Sequence, residues 1–293
     1  MKPAPFKYFR PESLDEALAL LAKHGDEAKV LAGGQSLIPA MNFRLAQPAI
    51  LIDINRLSAL SFIEEKRGQM HIGALTRHSM VERHPLVAQK APLLAETMPN
   101  IAHVQIRNRG TFGGSIAHAD PAAELPAAMT VRGARICLRS TRGERWVDAP
   151  QFFVGLLTTA MEPDELLTEV AFDELPKKTG WCFVEVARRH GDYALLGVAA
   201  TVRLGMMGKV KDARICFVSA GETPALATNA QDALNGQAPS AELAKAAAQI
   251  AAAQDIDPPS DIHASARFRR HLATKLTERA LNTAFARARG ETR

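Results

Sequence analysis

Residues 29–41 read Lys-Val-Leu-Ala-Gly-Gly-Gln-Ser-Leu-Ile-Pro-Ala-Met. Lys29 to Leu31 has the look of a short buried strand. Gly33-Gly34 then ends it, because glycine reaches backbone angles that a side chain forbids. Ser36 is a residue type that caps helices, and Pro39 fits a first helical turn, where a missing N–H costs little. The expected product is strand, glycine turn and helix start, with free backbone N–H groups aimed at one point. That geometry suits a phosphate or pyrophosphate. A plain turn between strand and helix accounts for the same residues, so this stretch alone leaves both readings open.

Residues 110–126, Gly-Thr-Phe-Gly-Gly-Ser-Ile-Ala-His-Ala-Asp-Pro-Ala-Ala-Glu-Leu-Pro, repeat the theme. A Gly-Gly-polar turn is expected at Gly113-Gly114-Ser115. Asp120 and Pro121 suit the N-cap and first position of a helix that starts at Ala122. Two such turns could clamp one extended ligand from two sides. Neither is a GxGxxG fingerprint or a Walker loop, so the usual nicotinamide and nucleoside-triphosphate motifs are absent.

Outward from these stretches the pattern is α+β. Phe6–Phe9 alternates like a strand. Ser13 and Glu16 form a capping box that opens a helix through Lys23, and Gly25 ends it. With a strand at Ile50–Ile54 this gives a β-α-β-α-β unit over residues 1–55. Residues 56–175 predict a mixed sheet with helices. Its strands lie near Leu60–Glu64, Met70–Gly73, Arg135–Arg139, Glu144–Val147 and Leu166–Phe172, and one helix runs from Pro85 to Met98. A linker is expected near 175–180. Beyond it, Trp181–Arg188, Leu195–Leu204 and Lys209–Ala220 read as a three-stranded antiparallel sheet, followed by helices over 228–235, 240–254 and 264–288. The expected domains are therefore 1–175, in two subdomains, and 176–293.

Composition narrows the function classes. The chain is 47% apolar and 23% charged, as in ordinary globular proteins. No run of about 18 apolar residues predicts a membrane span, and the N-terminus lacks an apolar signal core, so a cytoplasmic location is expected. The three cysteines, Cys137, Cys182 and Cys216, are far apart, one short of a four-cysteine iron–sulfur cluster. No zinc-type spacing occurs, so any redox metal is expected on another chain. The net charge of +5 is modest, and no aromatic interleaving or recognition motif points to nucleic acid. The arginines of the last helix, among them Arg267, Arg269, Arg270 and Arg287, read first as a solvated face and second as a docking surface.

The runs AGGQSLIPAM (32–41), ILIDIN (50–55) and IRNRGTFGGSIAHADPAAELP (106–126) together resemble the FAD-binding medium subunit of the molybdenum hydroxylases, relatives of xanthine dehydrogenase and carbon monoxide dehydrogenase. The resemblance covers essentially the whole chain. It implies FAD on this chain, with its pyrophosphate on Ala32, Gly33, Gly34, Gln35 and Ser36, flanked by Lys29, Leu31 and Leu37. Thr111, Gly113, Gly114 and Ser115 are expected to form the opposite wall, and His118 is a candidate contact by its location. Glu124 is expected to accept hydrogen bonds from ribityl or ribose hydroxyls. Ile101, Ala102 and Leu166 match flavin-side positions, and Tyr193, in the loop from Arg188, matches a position over the ring face. Arg107 and Arg109 are candidates to offset phosphate charge. The resemblance further implies a large partner subunit with the molybdenum cofactor and a small one with [2Fe-2S] clusters, as a dimer of heterotrimers. Electrons would pass from those clusters through FAD to an external acceptor. No residue is singled out as catalytic or as a metal ligand. Two competing readings remain at this point: a stand-alone FAD oxidoreductase with its own substrate, and a non-catalytic module for a phosphate ligand.

Overall fold

The computed structural model describes residues 2–291. The N-terminal unit has strands β1 (Lys7–Phe9), β2 (Ala28–Leu31) and β3 (Ile50–Asp53), with β3 central and both pairings parallel. Helix α1 (Leu14–His24) connects the first two. Ser13 accepts from the Glu16 N–H, while the Glu16 carboxylate accepts from the Glu12 N–H, so the expected cap forms with its reciprocal bond one residue upstream. Ala17, Leu18 and Leu21, on one face at helical spacing, bury against Ile50, Ile52 and Ile54. Helix α2 (Leu37–Asn42) follows the first glycine turn.

The middle sheet contains β4 (Ile63–Lys66), β5 (Gln69–Gly73), β6 (Arg135–Ser140), β7 (Gly143–Asp148) and, later in the chain, β10 (Leu166–Asp173). Its order is β4-β5-β10-β6-β7 with every pairing antiparallel, a narrower arrangement than the mixed sheet expected. Between β6 or β7 and β10 lie α9 (Ala149–Phe152) and a small hairpin of β8 (Phe153–Gly155) and β9 (Thr158–Thr159). Helix α3 (His78–Arg83) follows β5. The single helix expected over Pro85–Met98 is two, α4 (Pro85–Lys90) and α5 (Pro92–Thr97). Pro92 is the reason: it has no N–H to continue the ladder, and Ala91 before it leaves the helical region. Helices α6 (Val104–Arg107), α7 (Phe112–His118) and α8 (Glu124–Val131) complete this part.

The last sheet is antiparallel, with β11 (Thr179–Ala187), β12 (Ala194–Leu204) and β13 (Val210–Val218) as expected. A two-residue fourth strand, β14 (Ala225–Leu226), adds to them. Thr179 and Gly180, assigned to a linker from sequence, are the first residues of β11. Helices α10 (Thr228–Leu234), α11 (Ala241–Ile250) and α12 (Ala266–Arg289) cover one face, where Cys182, Val184 and Val186 meet Leu281 and Phe285. The other face turns Trp181 and Phe183 onto Leu93 of α5 and Ala127 and Val131 of α8. All eight residues of α8 are thereby buried between the middle sheet and the last one.

The arginines of α12 divide: Arg267, Arg279 and Arg289 are exposed, as a solvated face requires, whereas Arg269, Arg270 and Arg287 are turned inward. Arg269 is 4% exposed, donates to the Leu195 and Ser219 carbonyls and pairs with Asp261 at 2.6 Å. Arg270 donates to the Ala252 and Ile256 carbonyls. Arg287 lies over the Trp181 ring, 5.0 Å from its centroid, and reaches Glu96 at 2.6 Å and the Trp181 carbonyl at 2.7 Å. A fork of five donors satisfies carbonyls that sheet and helix ends leave over.

Candidate functional site

The first glycine loop leaves β2 with its carbonyls pinned. The Ile54 N–H donates to Leu31 O at 3.1 Å, and the Asn55 amide donates to Ala32 O at 2.8 Å. In a trans peptide the N–H points opposite to the carbonyl. Pinning those oxygens toward Ile54 and Asn55 therefore turns the Ala32 and Gly33 N–H groups away from β3. Among the described residues, no protein group accepts from the backbone N–H groups of 32 to 36. Gly34 takes φ +72°, which turns the chain into α2. Ser36 does not cap that helix: its backbone is already helical and its hydroxyl makes no cap bond, so the hydroxyl stays available.

The second glycine segment is built differently from expectation. Gly113 and Gly114 are inside α7, and Thr111 is its cap, accepting from the Gly114 N–H at 3.2 Å. The Phe112 and Gly113 N–H groups donate to Thr76 O and Ala74 O. A Cβ on Gly113 would lie 2.5 Å from the Ala74 Cβ, so this glycine serves close packing and displays no donor. Asp120 caps no helix either. Its Oδ1 accepts from the Ala122 N–H at 2.8 Å, a local turn that delays α8 until Glu124. Thr111, Gly114, Ser115 and His118 share one face of α7 by their 3–4 spacing. That face turns to the first loop, since the Ala32 Cβ is 3.8 Å from where a Gly114 Cβ would sit.

The two segments meet backbone to backbone. A Cβ on Gly33 would be 2.6 Å from Arg109 O, 2.8 Å from Gly110 Cα and 3.1 Å from Thr111 N. Arg77 holds them in that relation, donating to Asn55 Oδ1 at 2.7 Å and to the Arg109 carbonyl. Asn55 in turn donates to Asp53 Oδ1 at 2.6 Å, and Tyr8 donates to Asp53 Oδ2 at 2.5 Å. Although burial opposes it, these bonds from Tyr8 and Asn55 hold the Asp53 carboxyl below its ordinary range. His78 props the second segment through the Gly110 and Thr111 carbonyls, and burial lowers it to about 4, so it is neutral near pH 7.

Sequence reasoning missed Asn55, Arg77 and His78. Asn55 ends the ILIDIN run and was within reach; Arg77 acts across 32 residues and carries no local signal. Asn55→Ala releases the Ala32 carbonyl and is expected to weaken FAD binding by about two- to tenfold, since one hydrogen bond contributes about 0.5–1.5 kcal/mol. A fluorescence titration of FAD reads it, and unchanged affinity would show that Asn55 does not aim the loop.

The remaining candidates are distributed more widely. Ala102 has φ +45°, held by Arg107, which donates to the Ile101 and Ala102 carbonyls at 2.9 Å and pairs with Glu82 at 2.9 Å. Arg107 is thus committed to this turn and not to a phosphate; the Arg109 side chain is exposed. The loop from Arg188 rests here, because Gly191, at φ +86°, lies against Ala102 O and the His103 ring. Tyr193 follows in that loop and is 69% exposed. Glu124 is the first residue of α8, and burial, with Asp120 adding, pushes its carboxyl up to about 7. Leu166 is 3% exposed, in the core with Ile54, Leu57 and Leu75, and shows little open surface. Lys29 is exposed, and Leu31 and Leu37 are half-buried.

These residues suit a dinucleotide. Unpartnered N–H groups at 32 to 36 match a pyrophosphate, and Gly33 is required by the contact that shapes them. The comparisons agree. The family described as FAD binding domain in molybdopterin dehydrogenase matches residues 4–176, and CO dehydrogenase flavoprotein C-terminal domain matches residues 181–284. The alpha subunit of the 6-hydroxypseudooxynicotine dehydrogenase complex of Paenarthrobacter nicotinovorans is 42% identical, over 99% of this chain and 97% of its own. The carbon monoxide dehydrogenase medium chain of Hydrogenophaga pseudoflava is 38% identical, over 98% and 99%. A solved carbon monoxide dehydrogenase from the same organism, lacking the Mo-pyranopterin moiety of its cofactor, superposes with a TM-score of 0.95 at 40% identity, covering 98% of this chain and 99% of that one. This chain therefore belongs to the FAD-binding medium subunits of the molybdenum hydroxylases, a family of oxidoreductases.

Proposed function

We propose that the chain is the electron relay of a three-subunit molybdenum hydroxylase. A small partner would bring electrons from [2Fe-2S] clusters, a large partner would oxidise substrate at the molybdenum cofactor, and an external acceptor would take the electrons from this chain. Relatives described as a medium chain or as one subunit of a dehydrogenase complex support that division of labour. The observation that carries it is the fan of unpartnered N–H groups at 32 to 36, aimed by pinned carbonyls and closed by Gly33 against Arg109 to Thr111.

Bound FAD supplies the redox chemistry that side chains lack. The chain's own part is to bind and orient. Ala32, Gly33, Gly34, Gln35 and the Ser36 hydroxyl would hold the pyrophosphate, with Lys29, Leu31 and Leu37 around them. Thr111, Gly114, Ser115 and His118 would line the facing side, and Gly113 lets α7 come close enough. Glu124 would bond a sugar-chain hydroxyl. Ile101, Ala102 and Tyr193 would enclose the ring end, with Leu166 in the wall behind. In this reading residues 1–175 form the FAD-binding domain and residues 176–293 a second domain that contributes Tyr193. Among the described residues no helix is long and apolar enough to cross a membrane. A cytoplasmic dimer of heterotrimers is the assembly we propose.

The test is purification of the chain alone and with its partners. The chain alone is expected to be yellow and to oxidise no organic substrate. Mixed with the reduced iron–sulfur partner, its flavin is expected to bleach. Substrate turnover by the chain alone would favour a stand-alone oxidoreductase, and a colourless chain that takes up no FAD would overturn the reading.

A further inference from the structure

Beside the loop that carries Tyr193 is an open cavity of about 280 Å3, lined by Asn100, Glu185, Ala187 and the loop residues Arg188 to Gly191. Glu185 stands on β11 opposite Gly197 of β12, on the sheet face that packs onto α5 and α8. Its Oε2 is buried and has no hydrogen-bond partner among the described residues, and no basic side chain pairs with it there. A buried carboxyl with neither is costly unless it holds a proton.

The charges around it are mixed, with basic loop residues at the cavity mouth and the Glu124 carboxyl acting on Glu185. Burial, and then the Glu124 carboxyl, push Glu185 up to about 8. From α5 the charged neighbour is Glu96, already taken by Arg287 and the Phe183 N–H. β12 presents only Gly197, and from the loop come Arg188, Arg189 and His190, all exposed, with Arg189 3.8 Å from Asp192. Asp120 thus acts on Glu124 and Glu124 on Glu185, while the loop that lines the cavity with Glu185 rests through Gly191 on Ala102.

We propose that Glu185 is a charge-compensating residue of the flavin side in alkaline solution: where its carboxylate is ionised, it takes a proton from solvent as electrons bring negative charge there, in concert with Glu124, and becomes the neutral acid. This rests on the FAD reading above. The step forms one O–H bond on a carboxylate oxygen, with the proton drawn from solvent through the open cavity. No bond to the flavin forms or breaks, and loss of the electrons returns the proton to solvent. The physical reason is that closely spaced negative charges in a poorly solvated site do not all stay ionised; the group titrates as a unit.

Glu185→Gln keeps the shape and removes the charge. The full chain is loaded with FAD, and the midpoint potential of the bound flavin is measured near pH 6 and near pH 9. Near pH 6 Glu185 is protonated whether the flavin is oxidised or reduced, so native chain and variant should agree. Near pH 9 the native carboxylate opposes incoming electrons and the variant does not, so the variant's potential should be the higher. The expected difference corresponds to about a tenfold gain in affinity for reduced over oxidised FAD, one unit of coupled pKa. A second measurement needs no variant: on reduction in weak buffer near pH 8, the native chain should take up more protons than free FAD. Equal potentials near pH 9 overturn the inference, as does uptake equal to that of free FAD. A chain that never binds FAD overturns the site and this inference together, a result distinct from either.

Discussion

Gly33→Ala is expected to give a chain that folds yet leaves purification without FAD. The added Cβ would stand 2.6 Å from Arg109 O, 2.8 Å from Gly110 Cα and 3.1 Å from Thr111 N. All three are backbone atoms, so no side chain can swing aside. They are also held: Arg77 donates to the Arg109 carbonyl, and the Gly110 N–H donates to Ile106 O at 2.7 Å. The two segments must therefore part, at an overpacking cost of about 1–3 kcal/mol, which a chain of this size survives. The N–H fan would move with them. Several charge-assisted bonds to a pyrophosphate would lose their geometry together, and affinity should fall at least about a hundredfold, or about 2.7 kcal/mol. The ratio of flavin absorbance to protein, with a titration of added FAD, reads this directly. Gly34→Ala is the control. Its Cβ would meet only the side chains of Ile38 and Leu31, each at 3.1 Å, although φ +72° adds about 1–2 kcal/mol of strain. If Gly33→Ala retains stoichiometric FAD, the two segments are not one cradle.

The contrast between the two glycine segments shows what local sequence can carry. The strand–glycine–helix order over 28–42 was legible, because each boundary has a local cause in β2, the positive φ of Gly34 and the proline in α2. The second segment has the same residue types and a different structure. Thr111, two residues before Gly113, caps a helix where only a turn was expected, and α7 runs straight through the glycines. Its extended φ and ψ follow from the bridge to Arg77, a tertiary contact. Glu185 is a similar case. Alternation in β11 permits it as a surface position, and only the packing of α5 on that strand, with Asn100 beside it, covers it. Arg269 and Arg287 close carbonyls 74 and 106 residues away, distances over which residue type says nothing.

Gly180→Ala should cause the largest loss of stability. From sequence this glycine falls in a polar, proline-containing stretch read as linker. In the fold it is the second residue of β11, paired with Val202, at the point where α12 crosses the strand. The crossing is close because α12 presents a row of small residues there, Ala280, Ala284 and Ala288, all buried. A Cβ at 180 would lie 1.8 Å from Ala284 O and 2.7 Å from Ala288 N. Neither atom can yield locally, since both belong to the continuous hydrogen-bond ladder of a 24-residue helix. The helix would have to lift from the strand, opening the contacts of Cys182 with Leu281 and Phe285 and pulling Arg287 from the Trp181 carbonyl. Overpacking with loss of a buried tie should cost more than about 3 kcal/mol, or at least about 6 °C in Tm for a chain of this length. Thermal and urea melts measure it. The clash at 180 is with α12, whereas that at 33 is with residues 109–111, so the two variants should divide their effects. Gly180→Ala should melt early yet bind FAD while folded, and Gly33→Ala should melt only a few degrees below the native chain but without FAD. A Gly180→Ala chain with native Tm would mean that α12 can slide on β11, and the arginine tie at Trp181 would then have to re-form at a new register.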